Sequence, residues 1–198
     1  MQAFSEITLT GEAVRLEPLR PEHADALVAA GRDGELFRST VTLIPTRESI
    51  DAYIDVALGM AADGSGSPFV IVDPRSSKII GSTRYCRADR ANRQLEIGYT
   101  FIAGSYQRTR VNTEMKYLML QHAFESLGAN RIELRTHVRN QQSRQAILRL
   151  GASEEGVLRQ HVLMPDGHWR DTVVFSILAG EWPLVKAGLR RKLDGVER

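Results

Sequence analysis

Leu95 to Ile102 (LEIGYTFI) reads as a strand, and a short polar loop joins it to an apolar helical pattern, MKYLMLQHAFESL. A second strand-like run, RIELRTHV, follows. Strand, helix and strand in this order make a crossover unit, so the two strands should lie parallel with a right-handed connection. The joining loop is Gly104-Ser105-Tyr106-Gln107-Arg108-Thr109-Arg110-Val111-Asn112-Thr113-Glu114. The first turn of a helix has unpaired N–H groups and the positive end of a dipole, which together favour an anion. Arg108 and Arg110 can add charge-assisted contacts. The same loop also fits an ordinary connection whose arginines point into water.

The flanking sequence supplies the rest of a mixed α/β domain. Val14 to Leu19 alternates as a strand; Pro21 opens a short helix with Ala24, Leu27 and Val28 on one face. Thr46 is positioned to cap a second helix, with Ile50, Tyr53, Ile54, Ala57 and Leu58 at helical spacing, ended by Asp63–Pro68. Strands at 69–72 and 78–87, separated by the turn Asp73–Ser77, lead through Ala88–Asn92 into the strand carrying Glu96, an antiparallel meander. After the loop, Asn112 or Thr113 can cap the central helix, whose inner face is Met115, Leu118, Met119, His122 and Ala123, with Gly128 at its end. Ile132, Leu134, Thr136 and Val138 alternate; Asn140 caps the next helix and Gly151 stops it. A last hairpin, 157–164 and 169–178, turns at Pro165-Asp166-Gly167-His168.

Several chemistries drop out. A net charge of +2 over 198 residues is too small for a nucleic-acid surface. No apolar run approaches a membrane span, the N-terminus lacks the blocks of a signal peptide, and one cysteine, Cys86, allows no internal disulfide, so a cytoplasmic protein is expected. There is no Gly-x-Ser-x-Gly elbow and no Gly-x-x-x-x-Gly-Lys phosphate loop. The five histidines lack zinc-like spacing, and His122 on an apolar helical face reads as a hydrogen-bonded core residue. Cys86 within a strand reads as a small buried hydrophobe. Arg84, Arg87, Arg90 and Arg93 cluster around one hairpin and read as a solvated edge.

The order LEIGYTFI, QRTRVN, helix, RIELRTHV, NQQSRQAILRLGA resembles the core of the GNAT acyltransferase superfamily. Within it, the likeness is greatest to the branch of RimJ- and RimL-type N-terminal acetyltransferases, and it runs from Val14 to about Trp182. The family's pyrophosphate loop is Gln/Arg-x-x-Gly-x-Gly/Ala. Gln107 matches, but Arg110 stands at the central glycine and Asn112 at the small residue, and arginine lacks glycine's backbone freedom and close approach. The resemblance implies one GNAT-like domain over 1–198: a largely antiparallel sheet with a central splayed parallel pair and flanking helices. It implies acetyl-CoA as acetyl donor, its pantetheine between the splayed strands beside Phe101 and Ile102. The pyrophosphate would lie over Gln107, Arg108, Thr109, Arg110, Val111, Asn112 and Thr113. Asn140 would contact the coenzyme arm, with Ser143 a turn on, although capping alone also explains Asn140. The early helical pair would border the acceptor side, and a homodimer is common in the family.

The reaction so implied moves an acetyl group from the thioester to a primary amine by direct attack. Glu96 is the residue matched to a family base acting through water; pairing with a neighbouring arginine is the alternative. Strand N–H groups near Phe101 and Ile102 would stabilise the oxyanion. Many relatives place a tyrosine seven residues after the asparagine to protonate the thiolate; Ile147 stands there, leaving Ser143 as a substitute. An α-amine, with pKa around 7.7–8.0, asks less of a base than lysine near 10.4. This favours a peptide or protein N-terminus or an amino acid as acceptor. A small-molecule amine such as an antibiotic, or a non-catalytic acyl-CoA-binding module, is the alternative.

Overall fold

The computed structural model describes residues 1–195. Its eight strands form one sheet. Two N-terminal strands, β1 (Leu9–Thr10) and β2 (Arg15–Pro18), lead into the meander β3 (Ser67–Asp73), β4 (Lys78–Asp89) and β5 (Gln94–Ile102). After the crossover come β6 (Arg131–His137) and the hairpin β7 (Ser153–Leu163) and β8 (Trp169–Leu178). The order across the sheet is β1-β2-β3-β4-β5-β6-β8-β7, antiparallel throughout except for β5 beside β6. Turn chemistry sets the meander. The Asp73 carboxylate accepts from the Arg75 N–H at 3.1 Å and the Ser76 hydroxyl at 2.6 Å, closing the β3–β4 turn.

Five helices cover the sheet: α1 (Ala24–Arg32), α2 (Ile50–Ala62), α3 (Arg110–Gln121), α4 (Gln141–Leu150) and α5 (Trp182–Leu193). Two β4 residues show which helix takes which face. Tyr85 donates its hydroxyl to the Met119 carbonyl on α3 at 2.7 Å, whereas Ser82, three residues away, accepts from Tyr53 of α2 at 3.2 Å. Since side chains alternate along a strand, α2 and α3 lie on opposite faces.

Local readings from the sequence hold at Asn140, whose Oδ1 accepts from the Ser143 N–H at 3.0 Å, and at Gly151, which ends α4 at φ 98°. Two caps differ. Ser49, not Thr46, precedes α2, because residues 46–49 form a turn in which the Thr46 N–H bonds the Ser49 hydroxyl at 2.9 Å. Thr109, rather than Asn112 or Thr113, caps α3: its backbone is extended and its Oγ1 accepts from the Val111 N–H at 3.3 Å.

The buried part of α3 is also wider than one apolar stripe. Leu118 is only half-buried, while Glu114, Lys116 and Tyr117 are buried. The cause is a second layer: Tyr117 packs on Trp182 of α5, and the Glu114 carboxylate accepts from the N–H groups of Glu12 at 3.1 Å and Ala13 at 2.6 Å in the β1–β2 turn. A Cβ on Gly11 would sit 2.5 Å from the Glu114 carboxyl carbon, so a side chain there would push the carboxylate off these N–H groups. Glu114→Ala strands two N–H groups, and chemical denaturation is expected to show a loss of about 2–3 kcal/mol.

Candidate functional site

β5 and β6 pair at Gln94–Arg131, Leu95–Ile132 and Glu96–Glu133, and there the ladder stops. Both strands continue, β5 to Ile102 against β4 and β6 to His137 against β8. The separation has a local cause. Gly98 lies opposite Arg84 and Phe101 opposite Ser82, so Tyr99 and Thr100 together face the single residue Thr83. This is a β-bulge, with Tyr99 held at φ 50°, and a bulge bends its strand. Between residues 97–102 and 134–137 the sheet is open along the facing backbones.

Two helix N-termini close on the open end. The Gln107 amide donates to the Ile102 carbonyl at 2.9 Å and accepts from the Gln142 amide of α4 at 3.1 Å, tying the end of β5 to the starts of α3 and α4. Ligands of α/β sheets bind at such a place, beyond the carboxyl ends of parallel strands where connections diverge. Phe101 and Ile102 are buried, with Phe101 edge-on to Tyr53 at 6.5 Å. Arg108 is exposed at φ 60°, and its side chain makes no hydrogen bond or ion pair with the described residues. Arg110 opens α3 and reaches Glu12 at 3.5 Å, both exposed. Val111 is buried in the first turn, with Asn112 and Thr113 half-buried beside it. Asn140 also donates to the Thr42 hydroxyl at 3.2 Å, and Ser143 is half-buried one turn along α4.

Glu96 lies at the other end of the gap, where β5 and β6 are still joined. It is six residues before Ile102 on the bulged strand, and no hydrogen bond or ion pair links it to Ser143. Its carboxylate is 7% exposed. Oε2 lies 3.1 Å from Arg87 Nε and 3.3 Å from Arg135 Nε without hydrogen-bonding geometry to either. Burial raises its pKa despite these cations, which act the other way, Arg135 more than Arg87. The arginine pairing weighed for Glu96 is therefore present, and so is the upward shift that suits a base.

Two charged groups in this region were not read as site residues from the sequence. Arg84 is 1% exposed, so the solvated-edge reading fails for it: β4 is an inner strand, and α2 covers the face that Arg84 occupies. Lys116 is also buried. Its Nζ donates to Thr100 Oγ1 at 3.0 Å beside the bulge, and burial pulls its pKa down to about 7. A lysine one residue after Met115, inside an otherwise apolar helical run, was the available signal. Cys86 is fully buried, and burial pushes its thiol up to about 12, which removes it as a nucleophile. His122 is half-buried, its Nδ1 3.3 Å from the Tyr85 hydroxyl. Among the described residues no group of three or more His, Cys, Asp or Glu side chains could hold a metal ion, and no helix is long and apolar enough to cross a membrane. Two open surface clefts lie against α1, both lined by Val28, Arg32 and Arg47 and neither by residues of the separated strands.

Residues 13–153 match the family model described as an acetyltransferase (GNAT) domain. The chain is 25% identical over 176 residues to the uncharacterized N-acetyltransferase p20 of Bacillus licheniformis, covering 88% of this chain and 98% of that protein. Among solved structures, a GCN5-related N-acetyltransferase from Brucella melitensis is 34% identical, with TM-score 0.84 over 96% of this chain and 86% of that one. RimJ of Mycobacterium smegmatis, solved in complex with CoA-disulfide, is 25% identical, with TM-score 0.77 over 92% of this chain and 89% of the other.

The buried lysine makes a prediction about stability. With its pKa lowered on folding, Lys116 binds a proton less readily in the folded chain than in the unfolded one. Its cost is therefore complete below about pH 7 and disappears as pH climbs toward 10.5. Lys116→Met is expected to stabilise the protein at pH 6, on the order of 3–5 kcal/mol, and to have little effect at pH 10. Thermal unfolding across that range measures it; an equal change at both pH values would contradict the shift.

Proposed function

The chain belongs to the GNAT acetyltransferase family and is an acetyl-transfer enzyme, and on that premise we propose that it transfers acetyl from acetyl-CoA to the α-amine of a peptide, protein N-terminus or amino acid. The observation that carries the reading is the three-pair ladder of β5 and β6, opening toward two helix N-termini. The open backbone between residues 97–102 and 134–137 suits the amide groups of a pantetheine arm, which would pair with it as an added strand does. The first turn of α3 suits the pyrophosphate, with Arg108 free to approach and Gln107 holding the loop. Asn140 and Ser143 would border the arm from α4. The thioester supplies an activated acetyl carbon.

The chain's own groups divide the remaining work. N–H groups of β5 near Phe101 and Ile102 stabilise the developing oxyanion. Glu96, its pKa raised by burial, takes the proton of the attacking amine through a chain of waters along the open strand. The departing thiolate, with pKa near 8.5, needs only a weak acid, for which Ser143 and the Lys116 ammonium are the available groups. Dimerisation, which the family resemblance implies, and a cytoplasmic site of action, which the single cysteine favours, belong to the same proposal.

Calorimetry with coenzyme A tests the phosphate assignment. Asn112→Asp puts an anion in the first turn of α3 and is expected to weaken binding about tenfold, whereas unchanged affinity would remove the pyrophosphate from this loop. Rate against pH tests Glu96. An α-amine deprotonates unaided as pH rises, so Glu96→Gln is expected to lose rate most at low pH and to recover partly above pH 8. An equal loss at every pH would make Glu96 a structural partner of Arg87 and Arg135. Acetylation of lysine side chains in preference to α-amines would contradict the acceptor.

A further inference from the structure

Arg84 places its guanidinium on an inner strand with almost no hydrogen bonding. Its Cζ lies 4.6 Å from the ring centroid of Tyr53 and 4.2 Å from that of Tyr99, and its Nη1 meets only the Met60 sulfur at 3.9 Å. Nε and Nη2 are buried without a partner in the protein. Aromatic faces attract a guanidinium, but they do not replace N–H acceptors. Leaving such donors unmatched in a dry place is costly, more so for a charged group. The unmatched pair is also specific in shape: Nε and Nη2 form one edge of the guanidinium, the two-pronged fork that fits both oxygens of a carboxylate.

The surroundings relate this fork to the reacting centre. Arg84 is opposite Gly98, and Cys86 is opposite Glu96, so Arg84 and Glu96 project from one face of the sheet. A Cβ on Gly98 would lie 2.7 Å from Glu96 Oε1; the glycine lets that carboxylate lean toward the row of Arg84. No ion pair joins the two. On β8, Arg170 has a further buried Nε without a partner, and its charge acts on both Glu96 and Tyr99. Tyr99 is 43% exposed and stands on the bulge, so it is the cover that would shift to admit a ligand.

We propose that the Arg84 fork, between Tyr53 and Tyr99, binds a carboxylate of the acceptor, and that the enzyme therefore selects amines carrying a carboxylate a few bonds from the nitrogen. The inference rests on the acceptor reading above and narrows it. Two sources share this chemistry: a free α-amino acid, through its α-carboxylate, and a peptide beginning with aspartate or glutamate, through its first side chain.

The test uses the full chain with coenzyme A present and reads binding by calorimetry separately from acetyl transfer. One arm compares a free amino acid with its amide; the other compares peptides beginning with Asp or Glu with those beginning with Asn or Gln. In one arm the carboxylate form is expected to bind about tenfold or more tightly and to show a KM lower by the same factor, and the arm that shows it identifies the source. Arg84→Met is expected to erase that difference through KM, and Arg84→Lys to restore only part of it, a lysine having no fork. Equal binding of carboxylate and amide forms in both arms by the unmodified protein would overturn the proposal and make Arg84 a buried structural cation; so would a preference that survives in a folded Arg84→Met protein. Binding that prefers carboxylates without any acetyl transfer would uphold the fork and overturn the transferase reading.

Discussion

β5 cannot stay hydrogen-bonded to both neighbours beyond Glu96. The bulge at Tyr99 and Thr100 keeps it on β4 and bends it off β6, while β6 stays paired with β8 to His137. That competition for one strand's backbone is what opens the sheet. Every proposed role follows from it: the gap exposes unpaired backbone, the crossover places the start of α3 at its mouth, and Gln107 ties loop, strand end and α4 together. Gly81 helps to keep β4 and β5 close at this point, where a Cβ would come within 2.0 Å of the Phe101 carbonyl oxygen.

The same region concentrates charge that folding alone would avoid. Arg84, Glu96 and Lys116 are all buried within a few strand positions of the bulge. Burial raises the pKa of Glu96 and lowers that of Lys116, so both move toward the neutral range in which a proton is easily given or taken. A chain selected for stability alone would place apolar residues there. Their cost is offset elsewhere by an apolar core that runs through both helical layers.

Much of the fold was legible because its signals are local. Alternation at Ile132–Val138, the turn residues of the meander, and the Asn140 and Gly151 boundaries each act within a few residues, and the strand–helix–strand order dictates the parallel pair. Long-range partners were not legible. Nothing near Glu114 announces that it binds a turn a hundred residues earlier, and the hairpin arginines look alike until β4 becomes an inner strand and buries Arg84. The helix α5 over Tyr117 was likewise not read, although its packing buries Tyr117 on the outer side of α3. For the candidate site, the loop and Asn140 were visible as helix starts. The cap at Thr109, with Arg110 turned to Glu12, depended on the path of the chain before the helix.

The central claim is that coenzyme A occupies the gap between β5 and β6. Hydrogen–deuterium exchange with and without acetyl-CoA tests it most directly, because the facing amides lack strand partners. The account predicts that ligand slows exchange in residues 97–102 and 134–137 and in the first turn of α3, while the β2–β3 pairing is unchanged. Protection confined to the clefts along α1, or binding that leaves residues 97–102 unaffected, would contradict it.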